Sequence, residues 1–176
     1  SQYAKLTGID TFSLVRELQS NGIRVLGSTI IGLENHTPEN IVEAFDHAVS
    51  HNSDFHQFML YTPIPGTPLY EEHREAGTLL SEEECPLPDT HGQTRFNFRH
   101  PYIQNGRETD FLRKAFTRDF EVNGPSLIRM IETTLMGWRT HKNHHDARVR
   151  ARFEREVKPL ATTHAAAVWA SREWYR

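Results

Sequence analysis

The chain has very little cysteine, a single residue in 176, and this shortage excludes several kinds of site. Cys85 alone cannot form an internal disulfide, which agrees with a reducing compartment. One thiolate also cannot build a cysteine-only metal site or an iron–sulfur cluster within this chain. We therefore expect neither a disulfide framework nor a cysteine-ligated metal from these residues alone.

Long apolar runs and a strong charge imbalance are also missing. No apolar run approaches the roughly 20 residues that a membrane helix needs. The formal net charge of -3 gives no general attraction to nucleic acid. With 37% apolar residues, the chain is expected to be a soluble, cytoplasmic globular protein. It starts on Ser1 with a polar segment and no secretory signal, which indicates a piece of a longer protein.

The first half of the chain alternates between strand and helix patterns. β-branched, nearly continuous apolar sequence predicts buried strands over residues 23–31 and 55–61. A helix beginning at Thr37-Pro38-Glu39 connects them, since a capping hydroxyl precedes a proline and an acid. This predicts a parallel strand–helix–strand unit. A further helix is predicted over residues 69–76, followed by Gly77.

The second half is predicted to be helical after an irregular stretch. Residues 79–107 show little periodicity, apart from a short strand expected over residues 94–98. Amphipathic spacing then predicts one helix from about 110 to 122 and another after Asn123-Gly124-Pro125. Asp146 is expected to cap a last helix, which Pro159 should kink or split.

Each predicted strand ends in a glycine-bearing turn, and these two turns are the candidate functional region. Ligands of parallel α/β proteins bind at the carboxyl ends of the strands. The first turn contains Gly32 and follows Ser28, Thr29 and Ile30, which offer hydroxyls and an apolar surface. The second follows Tyr61 and Thr62. As isolated patterns, both turns could simply connect strand to helix.

Three pieces of sequence carry a resemblance to a known family. They occur in that family's order and spacing, and they read Gly22-Ile23-Arg24-Val25, Ser28-Thr29-Ile30-Ile31-Gly32-Leu33 and Tyr61-Thr62-Pro63-Ile64-Pro65-Gly66-Thr67-Pro68-Leu69-Tyr70. Residues 22–80 thereby resemble the C-terminal half of the barrel of a radical S-adenosylmethionine (radical SAM) enzyme. The closest group carries an N-terminal cobalamin-binding domain. The last piece is the most specific, because generic turn chemistry rarely produces it.

The resemblance implies cofactor-binding roles for five residues. Ile30 would pack on the adenine of S-adenosylmethionine, and Gly32 would let the backbone pass close by. Tyr61 and Thr62 would face the nucleoside or substrate cavity, with Ser28 on the same strand as Ile30.

The chain departs from the family pattern in the first turn. It reads Gly32-Leu33-Glu34-Asn35-His36, where the family usually has Gly-Leu-Pro-Gly. His36 therefore lies at the mouth of the implied site. It either acts as an acid or base there or helps to start the next helix, and we favour the second reading because it has no evident partner.

A larger departure concerns the cluster. The family chemistry needs three cysteines in a Cys-x3-Cys-x2-Cys loop after the first barrel strand, whereas this chain has only Cys85. The resemblance therefore implies an α/β fold that is half of a TIM-like radical SAM barrel, followed by a helical C-terminal extension. We expect residues 1–80 to belong to the barrel, 81–108 to connect, and 109–176 to form the extension.

Such a fragment is expected to be inactive alone, while its parent protein would be an enzyme. The parent would use S-adenosylmethionine and a 4Fe-4S cluster, with cobalamin supplied by an upstream domain. The expected partners are the rest of the parent chain and a small-molecule substrate, with no nucleic acid and no membrane span. Because half a barrel exposes strand edges, the isolated chain should self-associate or cover those edges with its own helices.

Two other interpretations remain open. The helical half would be a docking module on a βαβ scaffold that has no catalytic role. Histidines are also numerous, with a pair at His47 and His51 and a cluster at His141, His144 and His145. We predict no native metal at either place, because a closed zinc site needs four ligands.

Overall fold

The computed structural model describes residues 8–86, 88 and 90–175. Its helices and strands follow one another in the order α1 (Thr11–Ser20), β1 (Leu26–Ile31), α2 (Ile41–Ser50), β2 (Phe55–Leu60), α3 (Pro68–Glu75), α4 (Arg107–Asn123), α5 (Ser126–His141), α6 (Ala147–Glu156) and α7 (Ala161–Trp174). A short 3-10 helix at Lys158–Leu160 separates α6 from α7. None of the described helices is both long enough and apolar enough to span a bilayer.

Three helices begin at a capping side chain, and the cap predicted at Asp146 is among them. The Asp10 carboxylate accepts hydrogen bonds from the backbone of Phe12 and Ser13, and the Thr67 hydroxyl accepts from Tyr70 N–H. Asp146 caps α6 in the same way. These side chains satisfy backbone N–H groups that have no partner inside the first helical turn.

The two strands form a parallel sheet with α2 as the connection between them. The register is fixed at one end by the Tyr61 N–H, which donates to the Ile31 carbonyl at 2.8 Å. At the other end, the Phe55 N–H donates to the Val25 carbonyl at 3.2 Å. The predicted βαβ unit is thus confirmed, whereas the further strands of a half-barrel stay a prediction.

The chain divides into two compact units. The strand-rich unit comprises Ser28–Ala48 and His56–Glu121. The helical unit comprises the described residues through Gly27, Val49–Phe55 and those from Val122 onward. The domain bounds expected from the sequence stay a prediction.

The core of the strand-rich unit is aromatic. Phe58 on β2 meets Phe45 of α2 edge-on at 6.5 Å and Phe116 of α4 at 5.2 Å between ring centroids. Ile31 and Ile41 are completely buried beside them. α2 and α4 therefore cover the same face of the sheet.

The core of the helical unit depends on a close approach of backbones and on a buried acid. A Cβ placed on Gly22 would lie 2.7 Å from the Cα of Gly137, so glycine at this position lets the segment before β1 touch α5. Asp54 is 1% exposed and accepts hydrogen bonds from Val25 N–H at 2.8 Å and from Gln19 Nε2 at 3.1 Å. The Thr133 hydroxyl of α5 donates to its other oxygen.

Several element bounds differ from the sequence-based expectation. β1 begins at Leu26 rather than at residue 23. α2 begins at Ile41, because Thr37 and Asn40 first close a turn in which Asn40 Oδ1 accepts from Thr37 N–H at 2.8 Å. The strand expected over residues 94–98 is reduced to one isolated antiparallel bridge between Leu79 and Phe98.

Candidate functional site

One face of the sheet is open in the strand-rich unit. Side chains alternate across a strand, so Ser28 and Ile30 lie on the same face of β1. Both are exposed, and Ile30 is 54% exposed although it is apolar. On β2, Gln57 and Met59 alternate with buried neighbours and remain partly exposed. An uncovered aliphatic side chain beside a hydroxyl is a surface on which a flat, polar-edged ring can pack.

The opposite face of the same strands is closed. Ile31 is fully buried, and Phe58 and Leu60 are 2% and 3% exposed. The Thr29 hydroxyl hydrogen-bonds to the ring of His56, with 2.9 Å between Oγ1 and Nε2. The contrast between the two faces means that the sheet has a single direction from which a ligand or another segment can approach Ile30.

Gly32, the first residue after β1, contacts an aromatic side chain. Its φ is +71°, a left-handed conformation that favours glycine. A Cβ at this position would lie 2.5 Å from the Phe96 ring. In this structure the close approach that Gly32 allows is therefore made by Phe96, a residue of the stretch between α3 and α4.

Tyr61 and Thr62, which follow β2, are covered by the same stretch. Tyr61 is 8% exposed and meets Phe98 edge-on at 5.5 Å between centroids. The Thr62 hydroxyl donates to the Leu60 carbonyl at 3.0 Å. A Cβ placed on Gly92 would lie 2.3 Å from Thr62 Oγ1, so Gly92 packs directly on this threonine.

The structure thus separates the five residues that the sequence singles out. Ser28 and Ile30 are accessible on the open face, whereas Gly32, Tyr61 and Thr62 lie at the strand ends under side chains of the chain itself. Binding of a ligand by all five stays a prediction. We call the open face together with these strand ends the rim.

His36 closes the first turn of the rim. Its Nδ1 accepts a hydrogen bond from Gly32 N–H at 3.0 Å. This interaction explains how the turn holds its shape without the proline and second glycine of the family pattern. His36 lies before α2, which begins at Ile41, so it does not start that helix. An acid–base role for His36 stays a prediction.

The segment between α3 and α4 that contains Phe96, Phe98 and His100 is called the aromatic stretch. His100 connects it to the same turn by hydrogen bonds. Its Nδ1 accepts from the backbone N–H groups of Tyr102 and Ile103, at 3.1 and 3.0 Å. The Nε2–H then donates to the Leu33 carbonyl at 3.0 Å, which defines one neutral tautomer. Burial lowers the pKa of His100, although the Leu33 carbonyl opposes this shift. Burial, with a smaller effect from His100, also lowers the pKa of His36.

A third histidine lies under the second turn. His73 of α3 is 6% exposed, and its Nδ1 is 2.7 Å from the Thr78 hydroxyl. Its Nε2 is 3.6 Å from a carboxylate oxygen of Glu34, the acid that stands in the first turn. The two turns are therefore linked by the contact between the His73 imidazole and Glu34. The Glu34 side chain itself is largely exposed.

The rim offers apolar and hydrogen-bonding contacts but no metal centre. Among the described residues, no group of three or more His, Cys, Asp or Glu side chains is arranged to hold a metal ion. Of the pair His47 and His51, His51 lies just after the end of α2. It is half-buried, because it stacks on Phe12 at 3.9 Å between ring centroids and hydrogen-bonds to Thr11.

The residues that sequence reasoning missed lie in the aromatic stretch. Phe96, Phe98 and His100 recur at every second position, and their rings contact one another at 5.0 to 5.7 Å between centroids. That period of two was a usable signal for an extended segment buried on one side. The surrounding prolines and acids obscured it.

Comparison with known proteins gives one informative likeness. No family model matches the chain, and no solved structure matches it. The chain is 36% identical over 115 residues to the anaerobic magnesium-protoporphyrin IX monomethyl ester cyclase of Rubrivivax gelatinosus. The match covers 61% of this chain and 21% of the relative, so the chain spans about a fifth of the relative's length. This likeness suggests the radical SAM family.

Proposed function

We propose that the chain is the C-terminal part of a radical SAM iron–sulfur enzyme and supplies part of the wall that binds S-adenosylmethionine and substrate. The open face of the β1–β2 sheet carries this proposal. Parallel strands are ordinarily covered on both faces, because their connections place helices there or because the barrel closes. Here α2 and α4 cover one face, while Ile30 on the other is 54% exposed.

The edges of the sheet support the same conclusion. Within the described residues the sheet has two strands, so β1 has an edge with no neighbouring strand. Successive N–H groups of a strand point to opposite sides, and Leu60 N–H donates to the Gly92 carbonyl at 2.7 Å while Tyr61 N–H donates to β1. The aromatic stretch therefore covers the far edge of β2 at its end. The edge of β1 would take the preceding strand of the proposed barrel.

Of the three implied cofactors, the residues present fit S-adenosylmethionine. An exposed isoleucine beside a serine suits the apolar face and polar edge of an adenine ring, which is the adenosine end of S-adenosylmethionine. A cluster does not fit, because Cys85 is the only cysteine and is 3% exposed. The iron–sulfur cluster of the proposed parent must be bound by residues outside this chain. The chain would then be inactive alone, and cobalamin would belong to an upstream domain.

The alternative, a helical docking module on an inactive βαβ scaffold, predicts a different result in the full-length protein. We propose to replace Ile30 and Tyr61 separately with alanine and to measure S-adenosylmethionine binding and turnover. Ile30→Ala should weaken binding, because it removes the exposed apolar contact. Leu127→Ala is the matched control, since Leu127 is 64% exposed on α5. Unchanged binding and turnover in both rim variants would leave docking as the function.

A further inference from the structure

A cavity of about 640 Å³ that is widely open to solvent lies on the helical unit. The residues that precede β1 form one wall, and the end of α5 with α6 forms the other. It shares no residue with the rim. Its volume is in the range of pockets that hold small organic ligands.

The lining of this cavity is basic. Two arginines and two histidines contribute to it, namely Arg24, Arg152, His141 and His144. None of the described residues that line it is an Asp or a Glu. Such a one-sided set of nitrogen donors favours a negatively charged ligand.

The carboxylates at the two ends of α6 neutralise this set only in part. Asp146 pairs with Arg148 at 2.9 Å, and the hydrogen bond with Arg148 lowers the pKa of Asp146. Glu156 pairs with Arg155 at 3.1 Å, which lowers the pKa of Glu156. Glu156 also contacts Nε of Arg152 at 3.3 Å, but a guanidinium has five N–H donors, so the terminal nitrogens of Arg152 remain available.

Three donors lack an equivalent partner. Arg24 is exposed and forms no ion pair with any described residue. His144 Nδ1 accepts from Asp146 N–H at 3.1 Å, which leaves its Nε2–H as a donor. His141 Nδ1 is buried without a hydrogen-bond partner among the described residues. A buried polar atom of this kind is costly unless a ligand or water satisfies it.

Apart from Asn21, the rest of the wall is apolar. The Phe153 ring stacks on His141 with 5.2 Å between centroids and 23° between planes. Ile23 and Val149 complete the apolar surface. The contact of Gly22 with Gly137 fixes the backbone on which Ile23 and Arg24 are placed.

We propose that this cavity binds a small organic anion, with a carboxylate or phosphate head group and a flat apolar body. Arg24 and His144 donate to the oxyanion, since charge-assisted hydrogen bonds are the strongest available here. His141 donates or accepts at Nδ1, and the body of the ligand lies against Phe153. This site is separate from the proposed radical SAM function and does not depend on it.

The test uses the 176-residue chain and three probes of similar size. Phenyl phosphate and benzoate carry the two head groups, and benzyl alcohol is the uncharged match. Binding is followed by NMR, through backbone amides of residues 21–24 and the ring signals of His141. We expect saturable binding of at least one anion, and the stronger of the two identifies the head group. Binding should weaken as salt is raised.

Two variants locate the site. Arg24→Gln should weaken anion binding about tenfold, the effect of one lost charge-assisted hydrogen bond. Arg16→Gln is the control, because Arg16 is an exposed arginine of α1 outside the cavity and carries the same charge change. It should change binding by less than about twofold.

Three results would overturn the proposal. One is the absence of saturable binding of either anion. Another is benzyl alcohol binding as tightly as the anions, which would show an apolar pocket without charge selection. The third is an equal loss in Arg24→Gln and Arg16→Gln, which would show non-specific attraction to exposed arginines.

Discussion

Gly32 has a clear structural role in its own turn. The sequence resemblance implies that glycine at this position gives the backbone access to a ligand. In this chain, its left-handed φ of +71° and its missing side chain make room for Phe96. His36 then holds the same turn by accepting the Gly32 N–H. The turn is therefore specified by three residues of this sequence, independently of any ligand.

Replacing Gly32 with alanine should be strongly destabilising. A left-handed alanine costs about 1–2 kcal/mol, and the overlap of its Cβ with Phe96 adds about 1–3 kcal/mol. Gly66→Ala is the control. Gly66 also has a left-handed φ, of +83°, but a Cβ added there would meet no neighbouring atom within 4 Å. Urea denaturation should show about 3 kcal/mol lost in Gly32→Ala and about 1 kcal/mol in Gly66→Ala. Equal losses would mean that Phe96 moves aside freely.

His36 and His100, the two histidines beside the first turn, predict that the stability of the fold depends on pH. In the unfolded chain an imidazole titrates near pH 6.5, whereas burial lowers the pKa of both His36 and His100 in the folded chain. Below pH 6.5 the unfolded state therefore binds more protons. Their contribution to stability is complete above pH 6.5 and is lost as the pH falls towards the folded-state pKa values.

Urea denaturation at pH 7.5 and pH 5.5 measures this loss. The free energy of unfolding should be lower at pH 5.5. His36→Asn keeps an acceptor for the Gly32 N–H but cannot be protonated, so it should lose less stability between the two pH values. If His36→Asn shows the same pH dependence of stability as the unmodified chain, His36 does not contribute to that dependence.

At the scale of elements, local chemistry made the helices predictable. Asp10, Thr67 and Asp146 cap helices where the sequence indicates, and Pro159 separates α6 from α7 as expected. These signals act within one turn of backbone. β1 was less predictable at its start, because Ile23 and Val25 continue the apolar pattern of the strand. The place of this segment is set instead by the contact of Gly22 with α5 and by the hydrogen bond of Val25 to Asp54, which are distant in sequence.

The hydrogen bonds of Asp54 should contribute strongly to the stability of the helical unit. Asp54 is 1% exposed and joins α1, the segment before β1 and α5 through Gln19, Val25 and Thr133. Asp54→Asn replaces one acceptor oxygen with an NH2 group that faces donors, which should cost about 3 kcal/mol.

A matched exposed acid gives the control for this network. Asp46 pairs with Arg118 at 2.8 Å, and both side chains are about half exposed. Asp46→Asn should cost less than about 1 kcal/mol, as is usual for a surface ion pair. Thermal or urea unfolding of both variants would reveal the difference, and similar losses would contradict the importance given to burial.

The candidate site could be predicted from the sequence only in part, because whether each of its residues is exposed or buried depends on tertiary contacts. Alternation along β1 is enough to place Ser28 and Ile30 on one face. Burial of Tyr61 and Thr62 depends on Phe98 and Gly92, whose positions are set by tertiary contacts rather than local propensity. Sequence resemblance names the same residues but carries no information about the aromatic stretch.

At the scale of the whole molecule, the open face and the free edge of β1 predict self-association of the isolated chain. Exposed strand edges and apolar faces pair readily with another copy. Light scattering should give a mass above 20.4 kDa that falls on dilution. Ile30→Lys places a charge on the open face and should favour the monomer, while Leu127→Lys on α5 should not. A monomer at every concentration would mean that the exposed face is tolerated in solution.

The most direct test of the radical SAM proposal is the iron content of the proposed full-length protein beside that of the 176-residue chain. Both would be reconstituted with iron and sulfide without oxygen and analysed for iron and for S-adenosylmethionine binding. The full-length protein should hold about four iron atoms per chain and bind S-adenosylmethionine. The 176-residue chain should hold none, because it lacks the three cysteines. A full-length protein without a Cys-x3-Cys-x2-Cys loop that holds no iron would contradict the assignment.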